Sequence, residues 1–134
     1  MITKFKLFET NTFNDLSEIL LNLQPGEVKN GLDTEDEIND LINRGEEYDE
    51  SFITHRFDGN PNQCHRNSAN VYSDDSDEYT IVTGYAFYDG VWVSHTWLMD
   101  FYGDMIETVQ TEYSNYFGYI LNAVESKKFI DENN

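Results

Sequence analysis

Cysteine occurs once in the chain, at Cys64, and histidine three times, at His55, His65 and His95. One cysteine excludes an internal disulfide framework and a cysteine-rich zinc site, so Cys64 reads either as a small buried hydrophobe, the commoner use of a lone cysteine, or as a nucleophile. Cys64 follows Phe57-Asp58-Gly59-Asn60-Pro61-Asn62-Gln63, a run of turn-forming residues, and opens a segment that reads as a short helix to about Tyr72. At a helix start, unpaired N–H groups and the helix dipole favour the thiolate. A cysteine used only for packing has no reason to prefer that position. His95 sits in the apolar-aromatic segment Val91–Leu98, with Val93 and Trp97 two residues away on the same strand face. It reads either as a hydrogen-bonded core histidine or as the base that takes the thiol proton and returns it to a leaving group. Glu107, in Met105-Ile106-Glu107-Thr108-Val109, is costly to bury without a partner. It reads either as solvent-facing or as the acceptor for the second imidazole nitrogen.

Whether the last two meet is a question of parity. In an antiparallel pair, two residues share a face only when the joining loop has an odd number of residues. A five-residue loop from Met99 to Gly103 sets His95 directly opposite Glu107. A three-residue loop sets them diagonally on one face, and an even loop separates them.

The elements that would position these residues divide the chain into an acidic, helix-prone first half and an aromatic, strand-prone second half. Ile2–Phe8 reads as an edge strand. Phe13, Leu16, Ile19, Leu20 and Leu23 recur at helical spacing, with Thr12 as N-cap and Pro25-Gly26 as the stop. Thr34-Glu35-Asp36-Glu37 is a capping box ahead of Ile38, Leu41 and Ile42, and Gly45 is expected in the left-handed conformation at the helix end. Glu46–Glu50 and Asp74–Glu78 read as solvated acidic loops, and His55 falls in an irregular, solvent-facing segment. Tyr79–Tyr88 is a β-branched and aromatic strand with Gly84 as a bulge candidate, Asp89-Gly90 a hairpin turn, and Val91–Leu98 its partner. Asp104–Gln110 and Tyr116–Leu121 follow as further strands, and a short helix closes the chain. The expected fold is α+β: N-terminal helices packed on a C-terminal antiparallel meander. It forms a single domain over 1–134, with an acidic helical part (1–56), a core carrying the chemistry (57–121) and a tail (122–134).

Four short motifs in order resemble the papain-like, transglutaminase-like superfamily with its Cys-His-Asp/Glu core. They are Gln63-Cys64-His65-Arg66-Asn67, Val82-Thr83-Gly84-Tyr85-Ala86, Trp92-Val93-Ser94-His95-Thr96-Trp97 and Ile106-Glu107-Thr108. In that superfamily the cysteine heads a helix, the histidine lies in a His-x-Trp strand and an acid-Thr pair follows. Tyr116-Phe117-Gly118-Tyr119 is similar to the closing strand of small bacterial and phage members. The resemblance spans roughly Asn60 to Leu121. It implies a Cys64-His95-Glu107 triad acting through a thioester in a protease, amidase, deamidase or transglutaminase-like enzyme. The chain departs from the pattern in carrying Glu107 where Asp is usual, and in placing Gln63 directly beside the cysteine rather than a few residues before it. The Cys64 N–H is the generic oxyanion donor, with Gln63 and Asn62 as helpers. Asn67, Tyr85 and Trp97 are the candidates to line the substrate site, Trp97 also shielding the ion pair from water. His65 is expected to point away from Cys64, in a surface or hydrogen-bonding role.

Composition bounds the partners. Eight Lys+Arg against 26 Asp+Glu give a net charge of −18. That argues against nucleic-acid binding through phosphates and against anionic membranes, and favours a neutral or basic protein or peptide substrate. No apolar run approaches the roughly 18–20 residues of a membrane span and no signal-peptide core is visible, so a cytoplasmic protein is expected. No metal or other cofactor is expected, since His55, Cys64, His65 and His95 lack the usual ligand spacing. The competing reading is an acidic interaction or inhibitor module, DNA-mimic-like or a catalytically silent papain-like scaffold, that binds a basic partner.

Overall fold

The computed structural model describes residues 12–31 and 33–133; the expected strand Ile2–Phe8 lies outside the described residues. The elements in order are α1 (Phe13–Leu23), β1 (Glu27–Val28), α2 (Glu35–Arg44), β2 (Glu46–Asp49), β3 (Ile53–Arg56), α3 (Cys64–Asp74), β4 (Tyr79–Tyr88), β5 (Val91–Asp100), β6 (Met105–Glu107), β7 (Asn115–Ile120) and α4 (Ala123–Asn133). The class is α+β. None of these helices is long and apolar enough to cross a membrane.

Local signals hold at both early helices. Thr12 accepts from the Asp15 N–H at 3.2 Å while Asp15 accepts from the Thr12 N–H at 2.8 Å. Thr34 and Glu37 close the same reciprocal box on α2. Each box satisfies two of the donors that a helix start leaves open. The end of α2 differs from expectation: Gly45 has φ −63°, not a left-handed conformation. Glycine is needed there because a Cβ would collide with the Leu41 carbonyl and the Phe117 ring.

The sheet is mixed, not an antiparallel meander. Its order is β2-β7-β4-β5-β6-β3, with β1 pairing β5 off this path. β3 runs parallel to β6 and β1 parallel to β5. β7 does not continue beyond β6 but returns to the far side of β4. The acidic stretch expected as a loop is β2, an edge strand antiparallel to β7. An edge strand with one solvated face needs only one inward apolar side chain, and Tyr48 supplies it. His55 is exposed as expected but belongs to β3 rather than to an irregular segment. β6 is shorter than expected, Met105–Glu107, because the chain leaves the sheet after Glu107.

β5 carries the geometry that matters. It pairs with β4 along its full length, from Tyr88↔Val91 to Tyr79↔Asp100. On its other edge it is paired only near its ends, with β1 at Val91 and Trp92 and with β6 at Leu98 and Met99. Helix α3 comes up to the stretch between, and the Ser68 hydroxyl donates to the Thr96 carbonyl at 3.5 Å. The strand's period of two then sorts the side chains. One face joins Trp92 and Leu98 to Leu16, Leu20, Ile38 and Leu41 of α1 and α2 in the larger core cluster. The other gathers Trp97 and Met99 with Tyr48, Val82, Ala86, Met105 and Tyr116.

Gly84 is not a bulge, since the β4–β5 register runs through it unbroken. Its role is close approach. Gly84 pairs with Gly118, and a Cβ on Gly84 would meet the Phe117 carbonyl oxygen, while one on Gly118 would stand 2.7 Å from the Trp97 ring. The two glycines let β7 and the Trp97 indole seat together. Gly84→Ala is therefore expected to destabilise the protein by about 1–3 kcal/mol, read as a lower urea midpoint; an unchanged midpoint would show that β4 and β7 can separate here freely.

Candidate active site

The start of α3 contrasts with those of α1 and α2. Its N-cap is Gln63, at φ −125° and ψ 40°, which makes no side-chain capping bond, and the first turn holds no acidic residue. The first-turn N–H groups therefore face Cys64 and its surroundings without a capping carboxylate to compete for them. The turn that delivers the chain is built by Asn62, at φ 59°. It is fastened from below by Asn67, buried, whose amide donates to the Asn60 carbonyl at 2.8 Å and the Thr108 carbonyl at 3.2 Å while its oxygen accepts from the Asn60 N–H at 3.3 Å. A Cβ on Gly59 would strike Thr108 and Asn67, so the loop passes through a space only glycine fits.

His95 is 1% exposed and Glu107 is fully buried. The His95 Nε2–H donates to both carboxylate oxygens, at 2.8 and 3.0 Å. Glu107 also accepts from the Tyr116 hydroxyl at 2.7 Å and from the Thr108 N–H at 3.1 Å. With three donor groups around it, the carboxyl is satisfied as an acceptor in a place where an unpaired charge would be prohibitive. With Nε2 committed to Glu107, Nδ1 is the imidazole nitrogen left for proton exchange with Cys64.

The register that achieves this is the diagonal one. Met99 lies opposite Met105, and continuing that pairing by two residues puts Glu107 level with Trp97, not with His95. The parity is favourable, and the longer Glu arm spans the diagonal. Trp97 stacks beside the imidazole at 5.8 Å and 20° between planes. Its indole N–H is buried without a partner, a cost of about 1–3 kcal/mol accepted where the ring excludes water from the imidazole.

These contacts set the charges. Burial alone would raise the Cys64 thiol, but hydrogen bonds with His65 and His95 and their positive charge outweigh it and bring the thiol down to about 5. Burial alone would lower His95; the Glu107 charge and the hydrogen bonds to Cys64 and Glu107 outweigh it and lift the imidazole to about 9. Both directions favour the charged pair, thiolate with imidazolium, over the neutral one.

His95, Glu107 and Trp97 thus come together, with Cys64 near enough that its thiol and the imidazole shift one another's titration. Gln63 and Asn62 lie exposed in the turn just before Cys64. Asn67 does not line a substrate site; it is the buried strut of the preceding loop. Tyr85 is on the opposite sheet face, paired with Ser94, its hydroxyl donating to Asp33 and accepting from the Gly31 N–H. Strand alternation alone puts it there. His65 does not point away from the sulfur: its Nδ1 is 3.9 Å from Cys64 Sγ and 2.6 Å from the Thr96 hydroxyl. Tyr116 and Tyr113 were not singled out from sequence. The first bonds Glu107, and the second lays its ring 4.4 Å from the imidazole. Only the pairing of β7 with β4 tells which of the neighbouring tyrosines reaches the carboxylate. Among the described residues no group of three or more His, Cys, Asp or Glu is placed to hold a metal ion.

A groove of about 760 Å³ opens beside His65 on the Tyr85 face. Asp33, Asp36, Glu37, Asp40, Glu125 and Glu132 line it, against a single lysine, Lys128.

If Glu107 holds the imidazolium, Glu107→Gln moves the His95 titration down from about 9, followed by NMR of the ring protons. Tyr116→Phe keeps the fold and costs about 1–2 kcal/mol in urea unfolding; no loss would show that the Tyr116–Glu107 bond contributes nothing. Comparison of the chain with protein-family models, with curated proteins and with solved structures gives no match.

Proposed function

We propose that the chain is a cysteine-dependent amide acyl-transfer enzyme of the papain-like, transglutaminase-like kind. The observation that carries this reading is the buried His95 held through Nε2 by Glu107, on the strand against which the helix opened by Cys64 packs without a side-chain cap at its start. Cys64 Sγ attacks the carbonyl carbon, and the oxyanion is met by the open N–H groups of the first turn of α3, Cys64's own among them. The His95 Nδ1 proton passes to the departing amine, leaving a thioester on Cys64. The imidazole, now neutral, then takes a proton from water or from an incoming amine as that nucleophile attacks the thioester, which frees the acyl group and restores thiolate and imidazolium. Water as acceptor makes a protease, amidase or deamidase, and an amine makes a transglutaminase. The charge of −18 favours neutral or basic protein and peptide substrates.

A second reading, an acidic module that binds a basic partner, is favoured by the carboxylate-lined groove, which is not walled by Cys64 or His95. Such a module has no use for a thiolate.

The two readings part on thiol reactivity. For the enzyme, iodoacetamide alkylation of Cys64 climbs through a pH of about 5 and bends again near 9, as first the thiol and then the imidazolium loses its proton. His95→Ala returns the thiol towards its ordinary range and slows alkylation at neutral pH roughly 10–100-fold. An activated ester leaves an acyl group on Cys64, seen as an intact-mass shift absent from Cys64→Ser. Slow alkylation with a single ordinary thiol titration, indifferent to His95, would falsify the enzyme reading and leave the acidic module.

A further inference from the structure

Three aromatic rings surround the His95 imidazole: Tyr113 at 4.4 Å, Trp97 at 5.8 Å and Tyr116 at 6.1 Å. Trp97 and Tyr116 are fully buried and belong to the smaller core cluster, so neither can move without opening it. Tyr113 is different. It is half-buried, and it stands on the irregular segment 108–114 between β6 and β7. It is therefore the ring that separates the imidazole from solvent.

We propose that Tyr113 is the specificity-determining residue of the thiol site, a ring that an acyl donor must displace to reach Cys64 and His95. The inference rests on the reading of Cys64 as the nucleophile.

The segment that carries the ring is pinned at both sides. The Arg56 guanidinium donates to the Val109 carbonyl at 3.0 Å and the Thr111 carbonyl at 3.2 Å. The Ser114 N–H donates to the Phe87 carbonyl at 3.0 Å, and the Ser114 carbonyl accepts from the Glu50 N–H at 3.3 Å. The backbone is held, so the side chain moves only by turning about its own bonds out of its packing against the rim of the smaller core cluster, a motion cheaper than moving a strand. On its outer side the Tyr88 ring, 51% exposed, lies 6.1 Å from Tyr113 and meets it edge to face. Burial, and after it the charges of Cys64 and Glu107, push the Tyr113 phenol above its ordinary range. A ring 4.4 Å from the imidazole covers the approach to the base that Cys64 needs. It admits an acyl donor whose carbonyl sits on a slender, unbranched arm and turns away one with bulk beside the reacting carbon.

Two reagents with one reactive group test this: iodoacetamide and a neutral pyrenyl iodoacetamide. The readout is the ratio of their rates at Cys64, bulky over small. Tyr113→Ala and Tyr113→Leu are expected to raise that ratio about tenfold, while Tyr113→Phe, which keeps the ring, leaves it at the parent value. The leucine variant retains apolar cover should alanine loosen the fold, and thermal unfolding reports on both. A ratio unmoved in both truncations, with iodoacetamide still dependent on His95, overturns the gate and leaves the nucleophile intact. Slow alkylation that ignores His95 in the parent protein overturns the nucleophile, and the gate with it.

Discussion

A histidine and a glutamate share a proton in the interior of this protein, and the fold around them is arranged so that neither is left alone. The cost of desolvating a carboxylate and an imidazolium is several kcal/mol per ion, recovered only when geometry and further donors are good. Here Glu107 receives His95, Tyr116 and a main-chain N–H. His95 and Tyr116 come from different strands of the sheet, so the pair acts as a register pin. β5 must present His95 on the same face as Glu107 of β6, and β7 must return beside β4 to bring Tyr116. Gly84 and Gly118 belong to the same constraint, because they give the Trp97 indole the room to lie beside the imidazole.

The three helix starts show how differently one chain treats the same local problem. α1 and α2 close their free N–H groups with reciprocal capping boxes and serve the larger core. α3 leaves its first turn without a side-chain cap and invests instead in Asn67, one turn further on, which ties the preceding loop to Thr108. The result is a helix whose position is fixed by a strut and whose dipole is left open to the sulfur. Against the opposing effect of burial, His65 and His95 favour the thiolate.

The strongly acidic composition is compatible with this core because the two kinds of carboxylate are segregated. Glu107 is enclosed with its donors, while the carboxylates of α2 and α4 border a groove on the opposite sheet face. Charge accumulated there makes the potential more negative and so draws in an approaching cation, without unbalancing the buried pair, since solvent screens it over about 8–10 Å.

The residues themselves determined what depends on near neighbours: Thr12 and Thr34 as caps, the Asp89-Gly90 turn, the alternation of β4 and β5, and a helix opening at Cys64 after its turn-forming run. The types and spacing of Cys64, His95 and Glu107 were legible as a thiol, a base and an acid, and parity reduced their meeting to a choice of loop. Tertiary structure decided the rest. It chose the diagonal register, sent β7 to β4, made a strand of Glu46–Asp49 around one inward Tyr48, and placed Tyr85 away from the sulfur. Tyr113 and Tyr116 acquired their places only then. The reason is that capping and turn preferences are settled within a few residues, whereas strand register and partner choice are settled by which distant side chains fill the same core.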